Sequence, residues 1–199
     1  MVPERPLPVG APSAEELYEI TRGKKTIVLL RVTMTLDKEP LKSPADRLEF
    51  GLGSIYSPNL IPVIPQVVSE ASKNDGWVYF VLSPGTYNFW ALPPSSDPQH
   101  FRYQIEVPSD SRVLYAGTLS INCTKAESDA CSKPVLIRDE RGAQSLAEAS
   151  FRDVGPLKFS SMRRYEPPTN EIPRELFPMA MLGGSSVPPT VTETTAPYT

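Results

Sequence analysis

Histidine occurs once and cysteine twice in these 199 residues. A single imidazole, His100, cannot build a multi-histidine metal centre, and any Ser-His-Asp triad would depend wholly on it. It sits in a polar loop, DPQHF, where an ordinary exposed histidine is expected. Ser54, in GLGSIYS, lacks the G-x-S-x-G spacing of a nucleophile elbow. The same stretch has no Gly-Lys-Ser/Thr end of a phosphate loop. Clustered cations are also missing. The net charge is −3, the pI is near 5.3, and the basic spots Lys24-Lys25 and Arg163-Arg164 are only pairs. A surface that tracks phosphates needs more, so nucleic acid is not an expected partner. Carboxylates are plentiful but scattered, and nothing in their spacing suggests a convergent acid pair. These shortages together predict a protein that is not an enzyme and has no cofactor and no metal.

Long apolar runs are absent as well. The densest stretches, Thr26 to Leu30 and Leu60 to Val68, have the length of strands, and Pro62 and Pro65 cut the second. A bilayer span needs roughly 20 such residues, so no transmembrane segment is expected. The N-terminal residues MVPERPLPVGAPS contain no apolar signal-peptide core, which leaves two readings: a cytosolic chain, or a mature or trimmed form. Glycine is sparse at 11 residues and there are no low-complexity repeats, against wholesale disorder.

Proline, by contrast, is abundant, with 23 residues. It removes an amide donor and clashes inside helices, so a chain this rich in proline is read as β-rich with extended ends. Residues 1–12 hold four prolines. A short helix follows, with Ser13 as N-cap, Glu16 in the capping-box position and Gly23 as its stop. From Lys25 the period becomes two: Val28, Leu30, Val32, Met34 and Leu36 share one face, and Arg31, Thr33, Thr35 and Asp37 the other. Leu48–Leu52 reads as a weaker strand and Leu60–Val68 as an edge strand, where its prolines are tolerated.

Trp77–Leu82 and Thr86–Leu92 flank Pro84-Gly85, which suits a type II turn. Such a turn splays its arms, so they are expected to diverge into opposite sheets. Phe101, Tyr103, Ile105 and Val107 then alternate with Arg102, Gln104 and Glu106. Val113, Tyr115, Gly117, Leu119 and Ile121 lie opposite Thr118, Ser120 and Asn122. Val135–Ile137 is a short last strand. Asp139 caps a helix over Gln144–Phe151, with Leu146, Ala147 and Phe151 inward. No crossover helix fits between residues 25 and 137, so the sheets are expected to be antiparallel.

The run W-x-Y-F-x-L-S-P-G-T-Y-x-F, Trp77 to Phe89, resembles the L-x-P-G-x-Y signature of transthyretin-like and carboxypeptidase-regulatory-like sandwiches. The later F-R-Y-Q-I-E-V-P and V-L-Y-A-G-T-L are similar to stretches of bacterial envelope lipoprotein domains of the same architecture. The similarity spans roughly residues 25–139. It implies a binding, spacing or assembly module and brings no catalytic residues. The fold class expected is therefore all-β, an antiparallel sandwich of transthyretin or immunoglobulin kind, with one or two short helices and extended proline-rich termini. Residues 1–23 form an N-terminal arm with a helix, 24–155 the sandwich and 156–199 a proline-rich tail.

Cys123 and Cys131 are too far apart for a CxxC knuckle and are read as a disulfide closing a short loop, which favours an extracytoplasmic location, whether periplasm, cell envelope or secreted. Two reduced thiols are the alternative. Asn122-Cys123-Thr124 matches the N-glycosylation triplet. Glu127 and Asp129, inside the loop such a disulfide would close, are weighed as calcium ligands against simple solvation. Lys24 or Lys25 with Asn88 or Asn122 could form a covalent crosslink. Alternation puts Trp90 on the outer face, where its ring is covered by the chain itself, contacts a protein partner or stacks on a sugar. The tail, with seven prolines from Arg163 onward, carries one apolar cluster, Leu176, Phe177, Met179, Met181 and Leu182 with Pro178 and Ala180 between them. It either packs back on the sandwich or docks on a partner. The expected function is a structural or interaction module of a cell-envelope or extracellular assembly. Its partners are protein subunits, copies of itself included, bound through Trp90 and the tail. The alternative is a carbohydrate-binding domain.

Overall fold

Thr26-Ile27-Val28-Leu29-Leu30 contains no charged side chain, and every residue in it is buried. These residues open β1 (Thr26–Leu36), the spine of the fold. Strand side chains alternate between faces, so a run this apolar must be covered on both. Val28, Leu30, Val32 and Met34 join one core; Ile27 and Leu29 join a second on the opposite side. The structure is a computed structural model, and it describes residues 6–54, 61–93, 102–124, 130–160 and 162–165.

In chain order the elements are α1 (Ala14–Thr21), β1, β2 (Glu39–Pro40), a 3-10 turn (Pro44–Arg47), β3 (Glu49–Ser54), β4 (Ile61–Val63), α2 (Glu70–Asn74), β5 (Trp77–Leu82), β6 (Gly85–Leu92), β7 (Arg102–Val107), β8 (Val113–Thr124), β9 (Ala130–Cys131), β10 (Val135–Ile137), α3 (Glu140–Ser150), β11 (Leu157–Phe159) and β12 (Arg163–Arg164). In the first sheet β1 lies between β5 and β8. Strand β2 pairs the end of β1, and β9, β10 and β11 pair with β8. The second sheet runs β12-β7-β6-β3-β4.

The two sheets form the expected sandwich, and their shared core holds Phe50, Phe80, Phe89 and Tyr103. Phe89 meets Phe50 and Phe80 at ring-centroid distances of 6.2 and 5.8 Å, within the usual range for aromatic pairs. Helices make a third layer. Ile20 of α1, Ala143 and Ala147 of α3 and the adjoining Phe151 close over Ile27, Leu29, Trp77, Tyr79 and Tyr115 on the outer face of the first sheet. Burying each such large side chain contributes about 1.5–3 kcal/mol.

Local chemistry places these covers. Ser13 accepts the Glu16 N–H while the Glu16 carboxylate accepts the Ser13 N–H, the reciprocal cap expected from the sequence. Asp139 caps α3 through the Gly142 N–H at 3.0 Å. The arms flanking Pro84-Gly85 do part into opposite sheets, β5 into the first and β6 into the second, without pairing to each other. The Tyr87 hydroxyl donates to the Ser83 carbonyl across that corner.

Two features depart from the sequence reading. Most pairings are antiparallel, but β1 runs parallel to β8, and so does β11. The chain returns to β8 only after visiting the second sheet, so the parallel neighbours need no single crossover helix. The alternation in β8 also breaks. Leu29 lies opposite Tyr115 and Leu30 opposite Gly117, so Ala116 is an extra residue in the ladder. One inserted residue exchanges the two faces. Val113 and Tyr115 therefore point to the helices, whereas Leu119 and Ile121 point to the other sheet.

The N-terminal arm is tied down. Val67 N–H donates to the Pro8 carbonyl, Gly10 N–H donates to the Val67 carbonyl, and the Tyr79 hydroxyl donates to the Gly10 carbonyl. Leu7 N–H donates to Asp46, whose other oxygen lies 3.0 Å from the Lys73 ammonium. The two side chains of that ion pair are only 8% and 10% exposed.

Candidate functional site: the exposed edge at β10

Strand β10 pairs with β8 through Val135–Ser120, Leu136–Leu119 and Ile137–Thr118. Among the described residues no strand lies along its other side. Its three side chains are 55%, 37% and 46% exposed, and Phe159 nearby is 48% exposed. The two short strands lie end to end along β8, β11 opposite Val113–Tyr115 and β10 opposite Thr118–Ser120. Between them opens a cavity of about 190 Å³ lined by Leu136, Ile137, Phe159, Met162, Arg138 and Glu140, among others. Its floor is Tyr115 to Gly117, the bulged part of β8.

Behind this edge is a polar lock. The Arg31 guanidinium pairs with the Asp139 carboxylate, donates to the Asp75 carbonyl at 3.1 Å and stands 5.4 Å from the Trp77 ring centre. The Tyr115 hydroxyl accepts the Asp139 N–H and shares a 2.7 Å hydrogen bond with Thr118. These contacts hold the start of α3 against the sheet and fix the direction in which the chain leaves β10. Every named polar group here has a partner, which makes it a structural clamp; apolar side chains are what the edge offers outward.

The sequence-expected residues fall as follows. Cys123 and Cys131 lie opposite each other at the β8–β9 pairing and are disulfide-bonded, closing the short loop as expected. Glu127 and Asp129 lie outside the described residues, and among those described no group of three His, Cys, Asp or Glu side chains could hold a metal ion. His100 is also outside them. Lys24 pairs with Glu19, Asn88 accepts from Gln104, and Asn122 accepts from the Thr35 hydroxyl. No helix among the described residues is long and apolar enough to cross a membrane.

Trp90 is covered by the chain itself, the first of its three readings, and its assignment as a partner-binding residue is corrected. The residue does stand on the face of β6 opposite Phe89, but it is only 8% exposed. Its indole lies across Gly51 of the neighbouring strand, so close that a Cβ there would fall 2.1 Å from ring atoms. A glycine in the adjacent strand leaves a slot for the ring, and the ring is therefore not an open surface for a partner or a sugar. Leu176, Phe177, Met179, Met181 and Leu182 lie outside the described residues.

The exposed edge was only partly legible beforehand. Val135–Ile137 was readable as a strand, but its position at the end of a sheet depends on pairings that no local pattern encodes. Phe159 carries no periodic signal at all.

No family model matches this chain, and no curated protein does. Among solved structures, it is similar to the crystal structure of a DUF3823 family protein from Parabacteroides merdae, with 15% identity and a TM-score of 0.29. That match covers 50% of this chain and 45% of the other, so the chain spans less than half the length of the protein it matches.

Proposed function

We propose that this chain is a non-enzymatic β-sandwich module of transthyretin-like kind. It serves a cell-envelope or extracellular assembly and contacts partner subunits through its exposed edge and its proline-rich tail. The observation that carries this reading is the apolar edge Val135–Ile137 with Phe159 beside it. Contiguous exposed apolar side chains on a sheet edge are the usual mark of an attachment surface. The Cys123–Cys131 disulfide supports an oxidising location. The Pro84-Gly85 corner, with Trp77 to Phe89 around it, supports the transthyretin-like assignment.

Removal of residues 165–199 tests the tail. Affinity capture with the full chain and with the shortened one, from the envelope fraction of the native host, should lose at least one protein subunit with the tail. Identical captured sets would remove the tail from the proposal.

A further inference from the structure

We propose that β10 pairs with β10 of a second copy of this chain, antiparallel and centred on Leu136, so that two first sheets join into one. This rests on the reading of the chain as an assembly subunit and names one partner and the surface it uses.

The described sheet edges differ in how they are guarded. Strand β5, the long edge on the other side of the first sheet, is largely buried and bridged at Tyr79 by Gln66; β2 is Glu39-Pro40, β12 is Arg163-Arg164, β4 carries Pro62 at its centre, and β11 carries Lys158 at its centre. Strand β9 is short and closed by the disulfide. Charges, prolines and short length are what keep edges from pairing with other chains. Strand β10 has length as its only such guard: all three of its residues are aliphatic and exposed. An edge of this kind is a template for strand addition.

The flanking charges select the partner and the register. In an antiparallel pairing centred on Leu136, Val135 lies opposite Ile137, and the exposed Lys133 runs alongside the start of the second copy's α3, where Glu140 is the exposed acid, Asp139 being held by Arg31 of its own chain. Opposite charges directly across a pairing stabilise it and like charges oppose it. A slip by one residue sets Lys133 against Arg138, two cations, and also turns the aliphatic side chains to the wrong faces. The centred register is therefore self-complementary, as a two-fold interface requires, and it closes as a dimer instead of propagating. The second copy's Pro134 and Lys133 would run past Ile137 towards Phe159, the exposed ring next along the edge.

The test uses the full chain. Light scattering should show the mass rising with concentration from 21.9 kDa to twice that value. Leu136→Lys, at a side chain already part-exposed, should hold the protein monomeric without lowering its melting temperature. Lys133→Glu, which sets acids against each other, should weaken self-association by about tenfold or more. The two-fold places both copies of residue 136 within about 5.5 Å at Cβ. Leu136→Cys should therefore give a disulfide-linked dimer under mild oxidation, while Glu148→Cys on the exposed face of α3 should not. A wild-type mass that stays monomeric at all concentrations would overturn the proposal, as would a dimer that Leu136→Lys leaves intact. Concentration-independent protection, in a monomer, of those amides in residues 135–137 that face away from β8 would also overturn it, because the chain's own tail would then cover the edge. A tail found over the edge would bear on both proposals; the other outcomes leave the tail-removal experiment untouched, so the two proposals can be told apart.

Discussion

The Trp90 indole rests on the bare backbone of Gly51, with no room for even a methyl group between them. The contact fixes β6 against β3 on the outer face of the second sheet, and it explains why so large a ring beside a polar residue is not exposed. Gly51→Ala should force the ring or the strand to move and cost about 1–3 kcal/mol. Urea unfolding measures the loss. A red shift of tryptophan emission, as Trp90 meets water, reports its cause. An unchanged spectrum and midpoint would mean the ring has another resting place.

The buried pair of Asp46 and Lys73 holds the arm, because the same carboxylate accepts the Leu7 N–H. Removing one partner strands a charge away from water, so Lys73→Met should cost about 3–5 kcal/mol. The arm should also become accessible, with faster proteolysis around residues 7–10. A loss under about 1 kcal/mol would put the pair among ordinary surface salt bridges.

Tyr79 gives the arm a pH limit. Burial, followed by the nearby negative Glu16, pushes its phenol up to about 12 from the ordinary 10.0. The folded state thus keeps a proton that the unfolded state begins to lose near pH 10. The stabilisation is complete below that pH and falls away as the pH rises from 10 towards about 12. A titration of stability by chemical denaturation should show this fall, and Tyr79→Phe should flatten it. If the slope survives in Tyr79→Phe, another phenol or lysine is responsible.

The disulfide closes a loop of only a few residues, so its effect on the unfolded chain is modest. Cys123→Ser with Cys131→Ser should cost about 2–3 kcal/mol by the loop-entropy estimate. Since the bond sits at the far end of β8 from the helices, tryptophan emission in the folded state should not change. Failure to fold at all would assign the pair a larger role than loop closure.

What the sequence disclosed, and what it hid, follows from how local each signal is. The Ser13–Glu16 cap and the Asp139 cap are interactions over three residues, so both were readable. The parting of β5 from β6 was readable from Pro84-Gly85, because turn chemistry is local too. The second core over Ile27 and Leu29 was not anticipated, although TIVLL shows it in hindsight: a strand with no polar alternation is covered twice. The face exchange in β8 depends on one extra residue, Ala116, whose presence in the ladder only β1 defines. Alternation gives Trp90 its face but leaves its exposure open, because a glycine in another strand decides the matter. The exposure of β10 is likewise a property of sheet order, which neighbouring residues do not encode.

The parallel seam between β1 and β8 sets a schedule for synthesis. Ile27 lies opposite Val113, so β1 leaves the ribosome about 90 residues before its neighbour exists, a wait of roughly 5–20 s. During that interval a ribbon that is greasy on both sides has only the two-residue β2 at its far end and, once residues 77–82 have emerged, β5 to pair with. Long-range closure of this kind slows folding and leaves such ribbons open to capture. The nascent chain should therefore depend on holding chaperones until β8 arrives.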